Sequence, residues 1–178
     1  MARPRFTCLA LFVFCGGCAI APPYKTTFDP VEVNWARSNG KGSISGIVRL
    51  SYGGAKSNCP GSEVTLTPRS ARADEEALAF YGSLKGGTWI YGKAVGFNKN
   101  GDPRMAAYNR ITQCDADNRY SFTDLPDGTY YLSAIALGTE APKIIPGAVT
   151  FSTRSGVGVM RPVTIVNGAH VDIDLIKD

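Results

Sequence analysis

From Ser43 onward the chain alternates. In SISGIVRL, Ile44, Gly46, Val48 and Leu50 fall on one face while Ser45, Ile47 and Arg49 fall on the other. Val64 and Leu66 alternate with Glu63, Thr65 and Thr67, and Tyr120 and Phe122 alternate with Ser121 and Thr123. Successive side chains of an extended chain point to opposite faces, so a period of two marks half-buried strands. The aromatic and apolar run Thr129 to Leu137, and the runs Ile144 to Phe151 and Val157 to Val166, predict three more. The last strand is the cleanest, with Val171, Ile173 and Leu175 on one side and Asp172 and Asp174 on the other. Earlier, Val31, Val33 and Trp35 alternate with Glu32 and Asn34, which predicts an edge strand. Short strands separated by Gly, Pro, Asn and Asp turns predict an all-β sandwich rather than a parallel sheet.

One segment has the other period. In ARADEEALAFYGSLKGG, Ala73, Ala77, Phe80 and Leu84 recur at helical spacing, Asp74, Glu75 and Glu76 sit toward the N-terminal end, and Gly86-Gly87 is a stop. Acids near a helix start are favoured by its dipole, so a single helix is expected between strands, with Gly82 weakening it. The following TWIYGKAVGFNKNGDPRMAAYNRI contains the turn signal Asn100-Gly101 and reads as a hairpin or long loop. Together they form an insertion over about 68–110, longer than a sandwich connection needs, and long ordered insertions are often functional.

The start of the chain belongs to neither pattern. Met1 to Phe6 carries Arg3 and Arg5 and no acid, and Thr7 to Phe14 is an apolar run. That run is far shorter than the roughly 20 residues needed to span a bilayer, so the segment reads as an export signal. Cys15-Gly16-Gly17-Cys18 follows it and lacks the preceding strand and following helix that a redox Cys-x-x-Cys needs. The stretch resembles the bacterial lipoprotein signal, whose lipobox ends in a small residue followed by cysteine; Cys15 stands where that pattern commonly has Leu. The resemblance implies that residues 1–17 are removed and that Cys18 carries the lipid, palmitate-type acyl chains included. Ala19 after it resembles the sorting pattern for the outer membrane. The alternative is a plain cleavable signal cut near Ala19 to Ala21. Residues 18–42 then form a tether stiffened by Pro22-Pro23, and the nine residues after Cys18 reach roughly 30 Å when extended.

Five cysteines sort accordingly: Cys8 and Cys15 leave with the signal, Cys18 takes lipid, and Cys59 and Cys114 remain. In an exported chain these two are most simply a disulfide, two buried free thiols being the alternative. Charge names no partner. Two of the 19 basic residues precede Cys18, leaving 17 against 15 acids, a net +2 without any basic run that would track phosphates. At 178 residues less the signal, one domain is expected, here over 43–178.

GSISGIVRL, CPGSEVTLTP and DADNRYSFTDLPDGTYYLSA together resemble the carboxypeptidase regulatory-like domain. The matching hairpin residues are Asp117, Tyr120, Phe122, Leu125-Pro126, Gly128, Tyr130 and Leu132, and Gly168 with Val171 to Leu175 is similar to its closing strand. The resemblance implies a transthyretin-like (prealbumin-type) seven-stranded Greek-key β-sandwich with one inserted α-helix. It implies little about function, since such domains stabilise, anchor or bind ligands.

Candidate chemistry is sparse. Nucleophilic or metal-assisted hydrolysis needs a base or a ligand set, and the chain has one histidine, His170, at the start of the final strand. The hydroxyisourate hydrolases of similar architecture carry several histidines and a C-terminal Tyr-Arg-Gly-Ser; this chain has neither. Asp115-Ala116-Asp117-Asn118 hints at calcium, but Arg119 takes the next ligand position and no bend glycine follows. Asp172 and Asp174 read as a solvated strand face, and Ser38 to Lys41 fits Ser-x-x-Lys by letters only. No metal or cofactor is expected, and no enzyme. What remains is recognition: Trp89, Tyr91, Phe97 and Tyr108 cluster in the insertion and offer stacking faces for sugars or a partner protein, unless they fold back over the sheet edge. The favoured reading is a non-catalytic envelope lipoprotein, acylated at Cys18 and docking on a protein assembly, with no nucleic acid partner. The alternative is a glycan- or peptidoglycan-binding lipoprotein.

Overall fold

The period-two stretches fold as strands of two packed sheets. The computed structural model describes residues 24–52, 55–59, 63–90, 102–139 and 154–177. In chain order these hold α1 (Pro30–Val33), a 3-10 turn (Asn34–Arg37), β1 (Gly42–Tyr52), β2 (Ala55–Asn58), β3 (Glu63–Pro68), α2 (Ala71–Tyr81) and β4 (Gly87–Ile90). There follow α3 (Pro103–Ala106), β5 (Arg110–Gln113), β6 (Arg119–Leu125), β7 (Gly128–Thr139), β8 (Arg154–Ile165), β9 (His170–Asp172) and β10 (Leu175–Lys177). The expected strand over Ile144 to Phe151 lies outside the described residues.

β1 organises the first sheet. Its N-terminal half pairs antiparallel with β6 and parallel with β9, and its C-terminal half pairs antiparallel with β2 and parallel with β10. β9 and β10 are the single closing strand of the sequence, interrupted where it crosses Gly46; a Cβ there would lie 2.0 Å from the Ile173 carbonyl oxygen, so only glycine fits. The second sheet has the order β4-β8-β7-β3-β5, antiparallel throughout. Between the sheets lie Ile44, Val48, Leu50, Val64, Leu66, Tyr120, Phe122, Leu125, Tyr130, Leu132, Val159, Ile165 and Leu175, all buried. Each aliphatic side chain fully buried there contributes about 1.5–3 kcal/mol. The molecule is therefore an all-β sandwich.

Two turns place residues at positive φ. Asn118 takes a left-handed conformation (φ 63°), and Gly128 closes Leu125-Pro126-Asp127-Gly128 at φ 155°. The Asp127 carboxylate accepts from the amides of Asn167 and Gly168 at 2.7 and 2.8 Å, fastening this turn to the one before β9. The disulfide is present: Cys59 and Cys114 are bonded, linking the end of β2 in one sheet to the end of β5 in the other.

Three expectations are corrected. The edge strand at Val31, Val33 and Trp35 is helical, because Asp29 caps it by accepting from the Val31 amide at 2.9 Å and Pro30 supplies the first helical residue. An Asp-Pro helix start thus overrides an alternation of three residues. Consequently the tether over 18–42 does not run free to Ser43. Phe28, Val33 and Ala36 are buried, and Trp35 packs edge-on against Tyr130 with ring centroids 5.2 Å apart. Residues 24–37 are a strap on the domain. Lastly, Gly87–Ile90, expected in a hairpin or long loop, is an edge strand of the second sheet whose partner is the distant β8, from Gly87↔Met160 to Ile90↔Val157.

Candidate functional site

The outer face of the second sheet is where the insertion, the strap and the sheet meet. Along β7, Leu132 and Ala134 enter the sandwich core, so Tyr131, Ser133 and Ile135 point outward. They lie in rows set by register, Thr65–Ser133–Met160–Gly87 and Ile135–Gly158–Trp89. α2 lies over this face. Ser70 caps it by accepting from the Ala73 amide at 3.1 Å, and Gly82, in the left-handed region at φ 69°, closes its C-terminal end. Gly82 is the stop rather than a weak interior position.

Helix and sheet do not close completely. Between them is a crevice of about 190 Å³, walled by Ala73, Glu76, Ala77, Phe80 and Tyr81 of α2 and floored by Thr67, Ser133, Ile135, Trp89 and Met160. Gly158 makes room for it: a Cβ there would lie 3.3 Å from both Ile135 and the Trp89 ring and 3.5 Å from the Tyr81 hydroxyl oxygen. Tyr81 shares a hydrogen bond with Ser133, and burial pushes its hydroxyl up to about 12, keeping it neutral. Ile135 remains 42% exposed. An apolar cleft with few convergent polar groups is the usual form of a small-ligand site; this one is smaller than the ~300–1,000 Å³ common for drug-sized ligands.

The strap fixes the helix beside it. Glu75 accepts from the backbone amides of Lys25 and Thr26, both at 2.8 Å, and these bonds hold its carboxyl below the usual range. Arg72, buried in α2, donates to the Thr26 carbonyl at 3.1 Å and to Glu76 at 3.0 Å, and lies 3.7 Å from the centre of the Tyr24 ring. Burial alone would raise the Asp74 carboxyl, but bonds from Arg69 and the Tyr131 hydroxyl hold it below its ordinary value.

Of the four aromatics proposed from the insertion, the two among the described residues, Trp89 and Tyr108, lie in different places. Trp89 is 4% exposed, so its ring is a wall of the crevice and not a free platform. Tyr108 is half-buried elsewhere, edge-on to Phe28 at 5.5 Å with the Arg37 guanidinium over its ring. Tyr91 and Phe97, like Cys18, lie outside the described residues. Phe80, Tyr81, Glu76 and Ser133 were missed. The helical spacing of α2 was visible, but which of its faces stays uncovered depends on Gly158, a residue without a side chain.

The polar residues weighed for chemistry converge on a second place. Parallel pairing of β1 with β9 sets Ser43 beside His170 and Ser45 beside Asp172. Ser43 Oγ lies 2.8 Å from His170 Nδ1, His170 Nε2 lies 3.2 Å from Asp172, and Ser45 donates to Asp172. These three letters resemble a triad, but His170 and Asp172 side chains are 53% and 77% exposed. The Ser43 amide, which an oxyanion would need, donates to Ala169 at 3.2 Å. Asp172 also borders an open groove of about 680 Å³ with Asp115, Arg119 and Asp174. There the Asp115 carboxylate accepts from the amides of Asp117 and Arg119, an ordinary turn. Among the described residues no three acidic, histidine or cysteine side chains are placed to hold a metal ion.

The chain is similar to a solved structure from Pseudomonas aeruginosa, that of a "putative carbohydrate binding protein", with a TM-score of 0.64 at 22% identity, over 85% of this chain and 99% of that one. At that identity the likeness establishes a shared fold. No protein-family model and no curated protein matches the chain.

Proposed function

We propose that this protein is a non-catalytic carbohydrate-binding lipoprotein of the bacterial envelope. In this reading it is acylated at Cys18, anchored to the outer membrane and turned toward the periplasm. The sandwich is taken as transthyretin-like on the strength of Tyr120, Phe122, Leu125, Tyr130 and Leu132, the hairpin residues that share its core. The observation that carries the reading is the crevice under α2. It combines the apolar and aromatic walls of Phe80, Tyr81 and Trp89 with Glu76, Ser133 and Thr67, the mixture of ring contacts and hydroxyl partners that a sugar requires. The carbohydrate-binding description of the Pseudomonas protein of the same fold supports it.

The test is retention of the full-length protein on immobilised cell-wall glycan, compared with Ile135→Trp. Ile135 is half-exposed at the crevice, so a larger ring there blocks entry with little effect on folding. Retention that falls with Ile135→Trp supports the proposal, and equal retention of both proteins rejects this site. A protein-docking role is the second reading, favoured by the exposure of Val31, Leu78 and Ile111, at 81%, 50% and 57%.

A further inference from the structure

The charges around the crevice restrict which sugar it can take, an inference that rests on the carbohydrate reading above. Among the described residues that line it one is a carboxylate, Glu76, and none is cationic. Cations are close by but committed. Arg72 is 5% exposed, with Nη1 on the Thr26 carbonyl, Nε on Glu76 and its face on Tyr24. Turning it toward a ligand would release the strap. Arg69 holds Asp74 through two nitrogens at 2.9 Å, and Arg161 donates to the Met160 carbonyl at 3.2 Å. Lys25 meets the helix through its backbone amide and leaves its side chain exposed. The remaining acids of α2 are engaged too, Asp74 by Arg69 and Glu75 by the Lys25 and Thr26 amides.

An anionic ring entering here would lose its hydration beside Glu76, whose charge Arg72 already neutralises at 3.0 Å, and would find no guanidinium or ammonium among the described residues of the lining. Burying a charge without a partner costs far more than burying hydroxyls that find hydrogen bonds, which discriminates between otherwise similar rings. A neutral ring pays no such penalty: its hydroxyls can donate to Glu76 and exchange bonds with Ser133, Thr67 and the neutral Tyr81. We propose that the crevice selects an uncharged sugar unit, such as a hexose or N-acetylhexosamine, and excludes uronic acids and sugar phosphates.

The experiment is ligand-observed saturation-transfer NMR on the full-length protein in detergent, with D-glucose and D-glucuronate and with D-galactose and D-galacturonate, pairs differing only at C6. The neutral member of at least one pair should bind at least tenfold more tightly than its acid. Glu76→Gln, which keeps an oxygen for Arg72, should narrow that ratio at least threefold. Equal binding of acid and neutral sugar, sensitive to Ile135→Trp, overturns the selectivity while leaving the carbohydrate reading intact. A ratio unchanged by Glu76→Gln overturns the role given to Glu76. If no sugar in the set, N-acetylglucosamine included, binds in an Ile135→Trp-sensitive way, the carbohydrate reading itself fails.

Discussion

Removing the disulfide should destabilise the sandwich without changing its fold. Cys59 and Cys114 are 55 residues apart in sequence and only 2% and 8% exposed, and they join the margins of opposite sheets. Closing a loop of that length removes denatured-state entropy equivalent to about 4 kcal/mol at most. In a domain of this size each kcal/mol moves Tm by about 2–4 °C, so the paired substitution Cys59→Ala with Cys114→Ala should lower Tm by up to about 8–16 °C. The amide of Cys59 also donates to Asn118 Oδ1 at 2.8 Å, so the bridge holds the turn before β6 in place. The assay is calorimetry on the purified protein, with and without reductant. Reductant should lower the Tm of the native protein to that of the double variant and leave the variant unchanged. Two titratable thiols in the unreduced protein at these positions, or a loss under about 2 °C, would refute the reasoning.

Other positions give sharper local tests. Gly128→Ala places a methyl 2.2 Å from the Trp35 ring on a backbone at φ 155°, so it should cost about 1–3 kcal/mol and expose Trp35, read as a red-shifted emission. Tyr130→Phe removes the buried bond from its hydroxyl to the Pro126 carbonyl at 2.8 Å and should cost about 1 kcal/mol in urea denaturation. Arg72→Met should detach the strap, seen as faster hydrogen exchange at the Lys25 and Thr26 amides, whose partner Glu75 sits on the same helix. Burial raises Tyr81, Tyr130 and Tyr131 to about 12. Folded tyrosines that bind their protons more tightly than unfolded ones contribute stability fully present below pH 10. That stability is lost as pH rises from 10 toward 12, so Tm should fall in that window as phenolate absorbance appears.

The sandwich was legible because its signal is local. Period two at Ile44 to Leu50, Val64 to Leu66 and Val171 to Leu175 assigns each residue to a face, and a one-residue slip would turn the apolar set outward. Helix α2 was legible for the same reason. What alternation could not reveal was the strap: Val31 and Val33 share a face in a strand but not in a helix, where Val33 is buried and Val31 is 81% exposed, and the choice is made by Asp29 and Pro30 together with the partners Tyr130 and Gly128 far along the chain. Trp89 illustrates the limit for the site. Its type suggested recognition, but its burial depends on Gly158 and Ile135, which become its neighbours only when β4 and β7 flank β8.

The proposed entry of a sugar beneath α2 is open to a residue-by-residue test. Amide chemical-shift mapping of the isotopically labelled full-length protein, titrated with solubilised cell-wall glycan fragments, addresses it most directly. The account predicts saturable shifts confined to Thr67, Glu76, Phe80, Tyr81, Ser133, Ile135 and Trp89, abolished by Ile135→Trp. Saturable shifts centred instead on Ser45, Arg119 and Asp172, or none with any fragment, would contradict it.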